Sequence, residues 1–461
     1  MADQSSAALA GPPASNQTFG LHHGALGAAE TLAQSVSATA PSTSSSLTIP
    51  LVFALAGNGT WLVYLMATTA ILLVGFCISR FARMSASPGS LYSYTAETLP
   101  QPFGVVAAWG LLIAYLATGA SVAGGALYYV NLLSHQFLHW APPSDVTLAV
   151  VCAGAGYIAF RDVKLSAEVM LWIEVASVAL VMAVLGVLML KVGIHLDVGQ
   201  MKLTGVHFSS LGPALVLSIF SFVGFESATT LGTEARNPLR TIPRAVLQCA
   251  VLSGAFFILC SYSEVLGFHG VPTDLAQTSS PLHLLAAQAG VSPLGIGIDV
   301  GAMVSMFACV LACATAAARV MLRMSHAGIL PRSLQGTSLL HGTPGAALAI
   351  STLLMFIATA VMAGSGITGF NMYDLAGSLA VFGFLTAYAL VAIAVPFAER
   401  RVGRASGSII AVSALTALVI VLIAVFDIRS SSDPVHARIP YIYLAYIAIA
   451  LAIYFLQRKR A

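Results

Sequence analysis

The sequence predicts an all-α polytopic membrane protein, and three observations carry that expectation. Hydrophobic residues make up 58% of the 461-residue chain and charged residues only 8%, against the roughly 25% charged residues of an average soluble domain. The mean hydropathy is +0.89. Apolar runs of spanning length, roughly 20 residues each, recur along nearly the whole chain. A chain this poor in charge cannot cover a water-facing surface, so lipid is its solvent and its surrounding partner. The formal net charge of +3 is too small to suggest nucleic acid.

About twelve transmembrane helices are expected, over 24–56, 61–81, 103–133, 146–160, 165–190, 208–232, 245–268, 295–319, 345–363, 370–397, 407–426 and 441–456. Residues 1–23 hold no Lys or Arg and are rich in Ala, Ser, Gly and Pro. They read as a disordered cytoplasmic tail and not as a signal peptide. Loop charge tests the count independently, because cytoplasmic loops collect Lys and Arg. With the N-terminus inside, the cytoplasmic loops and the C-terminal tail carry Arg80, Arg83, Arg161, Lys164, Arg236, Arg240, Arg244, Arg319, Arg323, Arg332, Arg400, Arg401, Arg404, Arg458, Lys459 and Arg460. Only Lys191, Lys202, Arg429 and Arg438 fall on the other side. Both termini are therefore expected in the cytoplasm, and the host membrane is expected to be the plasma (inner) membrane. Cys77, Cys152, Cys249, Cys260, Cys309 and Cys313 all lie in apolar segments and read as buried free thiols.

Two of the predicted helices are interrupted, and function concentrates where membrane helices break. In helix one, eight of the twelve residues from Ser35 to Ser46 are Ser or Thr, with Pro41 among them. The run 47–56 spans only about 15 Å, too short to cross a core of roughly 30 Å. Two half-helices, 24–36 and 47–56, joined by unwound backbone, satisfy the topology. In helix six, Gly224 weakens the helix and Glu226 lies mid-span. An acidic residue there costs roughly 2.5–3.5 kcal/mol on insertion scales. Its structural role would be a hydrogen bond to a neighbouring helix; its functional role would be gating, coupling or binding. Breaks five helices apart predict two five-helix repeats of inverted topology, 24–190 and 208–397, followed by helices eleven and twelve within 405–461.

At residues 220–246 the chain reads Phe-Ser-Phe-Val-Gly-Phe-Glu-Ser-Ala-Thr-Thr-Leu-Gly-Thr-Glu-Ala-Arg-Asn-Pro-Leu-Arg-Thr-Ile-Pro-Arg-Ala-Val. This resembles the sixth-helix signature of the amino acid–polyamine–organocation permeases. Residues 86–94 (Ala-Ser-Pro-Gly-Ser-Leu-Tyr-Ser-Tyr) resemble a cytoplasmic-loop motif of that family. Ala316-Ala-Ala-Arg319 through Gly328-Ile-Leu-Pro331 resembles the end of its eighth helix, and Thr48-Ile-Pro50 closes helix one as in many members. The resemblance implies a secondary active transporter of an amino acid or related amine, working by alternating access, with H+ or Na+ as coupling ion. It implies a substrate carboxylate held by amides of broken helix one and an amino group at carbonyls of helix six. Carried onto this chain, that gives Ala40, Ser42, Thr43, Ser44, Ser45, Phe220, Ser221, Phe222 and Gly224 as substrate-binding candidates, with Phe220 as an aromatic lid. Glu226 and Glu174 are the gating or coupling candidates. Where many members have Gly-Ser-Gly, this chain has Thr43, Ser44 and Ser45. Helix five carries Glu168 and Glu174 but lacks the Lys of several proton-coupled relatives.

No cofactor and no metal are expected. His135 and His139 have i, i+4 spacing but lack a third ligand nearby. Glu264, Asp299 and Asp374 sit near predicted helix ends, where water-facing or structural roles are expected, and Glu234 is a partner for one of Arg236, Arg240 and Arg244. An intramembrane enzyme would need a Ser/His, paired-Asp or metal constellation inside the membrane, and no His lies mid-span. Polyamine exchange on the same fold, and a membrane sensor that has lost transport, are the alternative functions.

Overall fold

The computed structural model describes residues 19–460 except 194, 195, 339 and 431–433, and the described chain is helical apart from turns, loops and one isolated bridge. The helices are α1 (Ala28–Thr39), α2 (Ile49–Ala56), α3 (Thr60–Ala82), α4 (Ser90–Thr98), α5 (Gln101–Leu138), α6 (Ser144–Arg161) and α7 (Val163–Val192). They continue as α8 (Phe208–Phe220), α9 (Pro238–Gly267), α10 (Pro281–Gln288), α11 (Ser292–His326), α12 (Gly345–Gly364), α13 (Gly369–Arg401), α14 (Gly407–Ser430) and α15 (Ile439–Arg460). Among the described residues, ten stretches are long and apolar enough to cross a membrane. The first, Ala28–Ala82, turns back on itself and holds two crossings. The broken sixth span, α8 with the 3-10 turn Ser227–Leu231, completes the expected twelve.

The packing follows the two-fold pattern of inverted repeats. The second span, α3, lies along the seventh, α9, and the fourth, α6, along the ninth, α12. The third, α5, packs on the eighth, α11. Contacts of α5 with α13 are mirrored by those of α11 with α7, and α1 on α7 is mirrored by α8 on α13. Without a hydrophobic drive between helices in lipid, close approach of small residues does this work. A Cβ at Gly383 of α13 would collide with the carbonyl of Gly110 in α5. The six cysteines are buried and unpaired.

One face of the bundle gathers the basic helix ends. Arg80 Nε meets Glu399 Oε1 at 2.5 Å, and Arg401 donates to the carbonyls of Glu97 and Thr98. Buried Arg319 makes a bidentate pair with Glu234, at 2.5 and 2.7 Å. Glu234 thus pairs with Arg319 and not with an arginine of its own loop. The tail expected over 1–23 lies outside the described residues up to 18. Phe19 and Leu21 are buried against Leu322, with the Arg323 guanidinium over the Phe19 ring. The opposite face is covered by loops. Asn58 donates to the Thr204 carbonyl, Trp61 to that of Gln200, and Tyr128 to that of Ser279.

If the basic face is cytoplasmic, single cysteines at Arg83, Arg240 or Arg401 will be shielded from an impermeant thiol reagent in intact cells. Cysteines at Asn58 or Asp274 will react. The native cysteines, being buried, will contribute little background, and reversed labelling would invert the topology.

Candidate functional site

The two interrupted spans meet at the centre of the bundle. α1 ends at Thr39, and Ala40 takes a left-handed conformation (φ 45°, ψ 67°), which costs an L-residue about 1–2 kcal/mol. Pro41 restricts the backbone before it and starts the next helical turn, where its missing N–H is not needed. The chain then stays helical, through a π-helical stretch Ser44–Thr48 into α2. The unwound segment expected between 36 and 47 is therefore confined to Ala40. In the sixth span, α8 stops at Phe220 and the chain turns irregularly through Gly224 (φ 90°). A Cβ at Gly224 would lie 2.7 Å from Ala38 Cβ and 2.9 Å from its carbonyl oxygen, so only glycine admits this contact.

Side chains complete the hydrogen bonding that the breaks interrupt. Ser227 Oγ donates to the Gln34 carbonyl (2.9 Å), and the Ala228 amide donates to Ser35 Oγ (3.0 Å). Cys309 Sγ reaches the Ala38 carbonyl (3.3 Å), and Gln34 Nε2 reaches that of Ala312 (2.9 Å). Between the breaks lies a cavity of about 10 Å³, room for about one water. Ala38, Thr39, Ala40, Thr43 and Ser44 line it from the first span, and Phe220 and Val223 from the sixth. Thr118, Val122, Cys309 and Tyr373 close it from α5, α11 and α13. Phe220 packs edge-on against Tyr373 at 5.4 Å, and Tyr373 Oη is 2.8 Å from Thr48 Oγ1. The first turn after Ala40 leaves the Ser42 and Thr43 amides without intrahelical acceptors. The buried hydroxyls of Ser42 and Thr43 also lack partners.

Glu226 stands beside this cavity and does not line it. Its carboxylate is fully buried and accepts from two tyrosines, Tyr115 Oη at 2.8 Å and Tyr388 Oη at 2.6 Å. These come from α5 and α13, the pair joined at Gly110 and Gly383. The node therefore ties the irregular stretch of the sixth span to a tightly packed pair of helices. Glu174 of α7 accepts from Ser305 Oγ (2.7 Å), and its second oxygen is buried without a partner.

A model of the amino acid permease family matches residues 42–459. The chain belongs to the amino acid permease family. Among relatives, it is 25% identical to the branched-chain amino acid permease of Bacillus subtilis (strain 168), over 63% of this chain and 64% of that protein. It is 26% identical to the low-affinity putrescine importer of Escherichia coli (strain K12), over 59% and 60%. It is 25% identical to the methylthioribose transporter of Bacillus subtilis (strain 168), over 74% and 73%. The chain spans less than two thirds of the length of the first two.

In this member of the family, Ala40, Thr43, Ser44 and Phe220 come together at the cavity. Ser42 and Ser45 lie one step along the helix, Ser45 Oγ donating to the Ser42 carbonyl. Ser221 Oγ pairs with Tyr64 Oη (3.1 Å), and Phe222 packs on Phe257. Thr118, Val122 and Tyr373 carry no local signal in their apolar spans, and Cys309 reads from the sequence only as a buried thiol. Of the three acids expected to face water or to act structurally, Glu264 and Asp299 are buried and Asp374 pairs with His436. Glu264 of α9 has both oxygens without a partner, and Asp299 of α11 accepts from Ser280 Oγ and pairs with His283 Nδ1, each at 2.5 Å.

Thr43→Leu fills the cavity, so it is expected to abolish ligand-induced thermal stabilisation across a panel of amino acids and amines while the ligand-free protein still melts cooperatively. Ser45→Ala removes only a bond to the Ser42 carbonyl and is expected to keep the ligand response. Equally small effects from both would reduce this segment to a linker.

Proposed function

We propose that this protein is a secondary active transporter that moves an amino acid or related amine across the membrane by alternating access. The observation that carries the reading is the pair of apposed breaks, at Ala40 and at 221–226, enclosing a cavity midway along two spans. A broken span presents free amides from one half-helix and free carbonyls from the other, and both carry partial charge suited to an ionic solute. The amides of Ser42 and Thr43 would receive a carboxylate, and the carbonyls closing α1 an amino group. Family membership supports the reading, as do relatives described as a branched-chain amino acid permease and a putrescine importer.

Alternating access needs the broken spans to rock against a fixed scaffold. Glu226 is where such movement would be felt, since its partners Tyr115 and Tyr388 belong to the scaffold pair α5 and α13. Losing one partner would leave a buried charged group short of a bond worth about 1.5–3 kcal/mol, a step large enough to bias two conformations. Glu174, with one oxygen free, is a second coupling candidate for H+ or Na+. The basic face is assigned to the cytoplasm, with both termini there and the protein in the plasma membrane.

Glu226→Gln keeps size and hydrogen-bonding capacity, so it is expected to preserve substrate binding while blunting net uptake driven by an imposed gradient. Glu226→Ala should impair both. The check compares binding with proteoliposome uptake across about pH 5–8, under separate proton and sodium gradients. Wild-type uptake with an unchanged pH profile in the Gln variant would remove Glu226 from the mechanism.

A further inference from the structure

We propose that Glu264 is a proton-binding site that links pH to the opening of the loop-covered face. It holds a proton while that face is closed and gives it up to water when the face opens. Glu264 lies one turn before the end of α9. Its carboxyl is fully buried. Among the described residues neither of its oxygens has a hydrogen-bond partner, and it enters no ion pair. The other acids buried in the bundle are met. Glu226 accepts from Tyr115 and Tyr388, Glu174 from Ser305, and Asp299 from Ser280 beside His283, while Glu234 and Glu399 face arginines. A carboxylate buried with neither donor nor counter-charge is so disfavoured that the group neutralises instead. The closed form therefore keeps a proton on Glu264.

A cover of short pieces separates this end of α9 from water. A Cβ at Gly267 would lie 2.7 Å from Leu188 Cδ2 of α7 and 2.8 Å from Leu285 Cδ2 of α10, so α10 sits directly on it. Ser280 and His283 hold α10 to Asp299. The stretch 196–206 is tied to α9 at Tyr262, whose Oη accepts from the Asp197 amide (2.7 Å) and whose carbonyl accepts from Gln200 Nε2 (3.1 Å). The titratable neighbours of Glu264 are Tyr64 of α3 and Cys260, one turn back on α9. α7 brings Lys191, which reaches toward Gly290, and α10 brings His283, committed to Asp299. The loop after α9 brings His269, 3.5 Å from Asp197. From α1 through α2, Glu30 at the basic-face end is the only titratable side chain, and the turn 227–231 has none. Tyr64 Oη is 3.1 Å from Ser221 Oγ, so a charge appearing on Glu264 would be felt where the sixth span breaks.

With the cover lifted, water solvates the carboxylate and Glu264 ionises at neutral pH as an ordinary glutamate does. Protonation thus favours the closed form and alkali the open one. With one proton at stake, the closed-to-open ratio falls by up to about tenfold per pH unit. The inference takes from the transporter reading only that this face opens, and its test needs no solute. Spin labels at Gln136, exposed near the end of α5, and Gln288, exposed at the end of α10, report the lifting of the cover by pulsed dipolar spectroscopy. The full chain is measured in lipid nanodiscs between about pH 5 and pH 9. The wild type is expected to show one population in acid and a second, at longer distance, that grows as pH rises. Glu264→Gln and Glu264→Leu, neutral and of similar size, are expected to hold the acid distribution throughout. A wild-type distribution that does not change with pH would overturn the proposal, whether or not the variants fold. So would a pH response that persists in either variant; its loss in His283→Gln would then place the proton on the pair of His283 and Asp299. Failure of the transporter reading shows separately, as labelled amino acids and amines that do not enter proteoliposomes, and leaves this result standing.

Discussion

Lipid offers no hydrogen bonds, so each backbone group released by a broken membrane helix must find a partner inside the protein. That constraint organises this molecule. The first and sixth spans both break, and each break is placed against the other. Gly224 abuts Ala38, Ser227 takes the Gln34 carbonyl, and Ser35 takes the Ala228 amide. Cys309 and Gln34 fasten α1 to α11 from the other side. At the start of the second half-helix the buried hydroxyls of Ser42 and Thr43 are left without a partner, and Thr43 lines the cavity.

Buried acids show how differently one residue type can be used. Glu234 is neutralised by a bidentate arginine and closes the basic face beside the bridge between Leu26 and Ala235. A pair like this is costly to break from one side, because the remaining charge is stranded. Glu226 instead receives two tyrosine hydroxyls, neutral donors whose loss costs less. Asp299 holds α10 over the loop face through Ser280 and His283. The ion pair thus favours a fixed closure, and the tyrosine node favours a contact that can be remade.

Much of the architecture was legible in the sequence because its signals are local or periodic: apolar runs, alternating basic loops, and the Ser/Thr-rich and Gly-Glu interruptions five helices apart. The extent of the first break was not. Pro41 marks its place, but the hydroxyl-rich run after it stays helical, with Ser45 bonding back to Ser42 and a π-helical stretch leading into α2. The cavity walls on α5, α11 and α13 were also hidden, since Val122, Cys309 and Tyr373 sit in segments that look like ordinary apolar spans. Tyr115 and Tyr388 found Glu226 across more than a hundred residues. The position of Glu264 and Asp299 near helix ends left water-facing and structural roles both open; residues 196–206 and α10, which cover that face, could not be placed from sequence.

The central proposal is that the broken spans, α1 among them, rock against a fixed scaffold. Spin labels at Ala29, exposed on α1, and Gln101, exposed at the start of α5, measure this directly by pulsed dipolar spectroscopy in proteoliposomes; the buried native cysteines can stay in place. The account predicts that the distance distribution between them shifts or splits when substrate and gradient are supplied. A control pair at Gln101 and Arg161, both on scaffold helices, should hold still. An unchanged Ala29–Gln101 distribution in protein that is taking up substrate would contradict it.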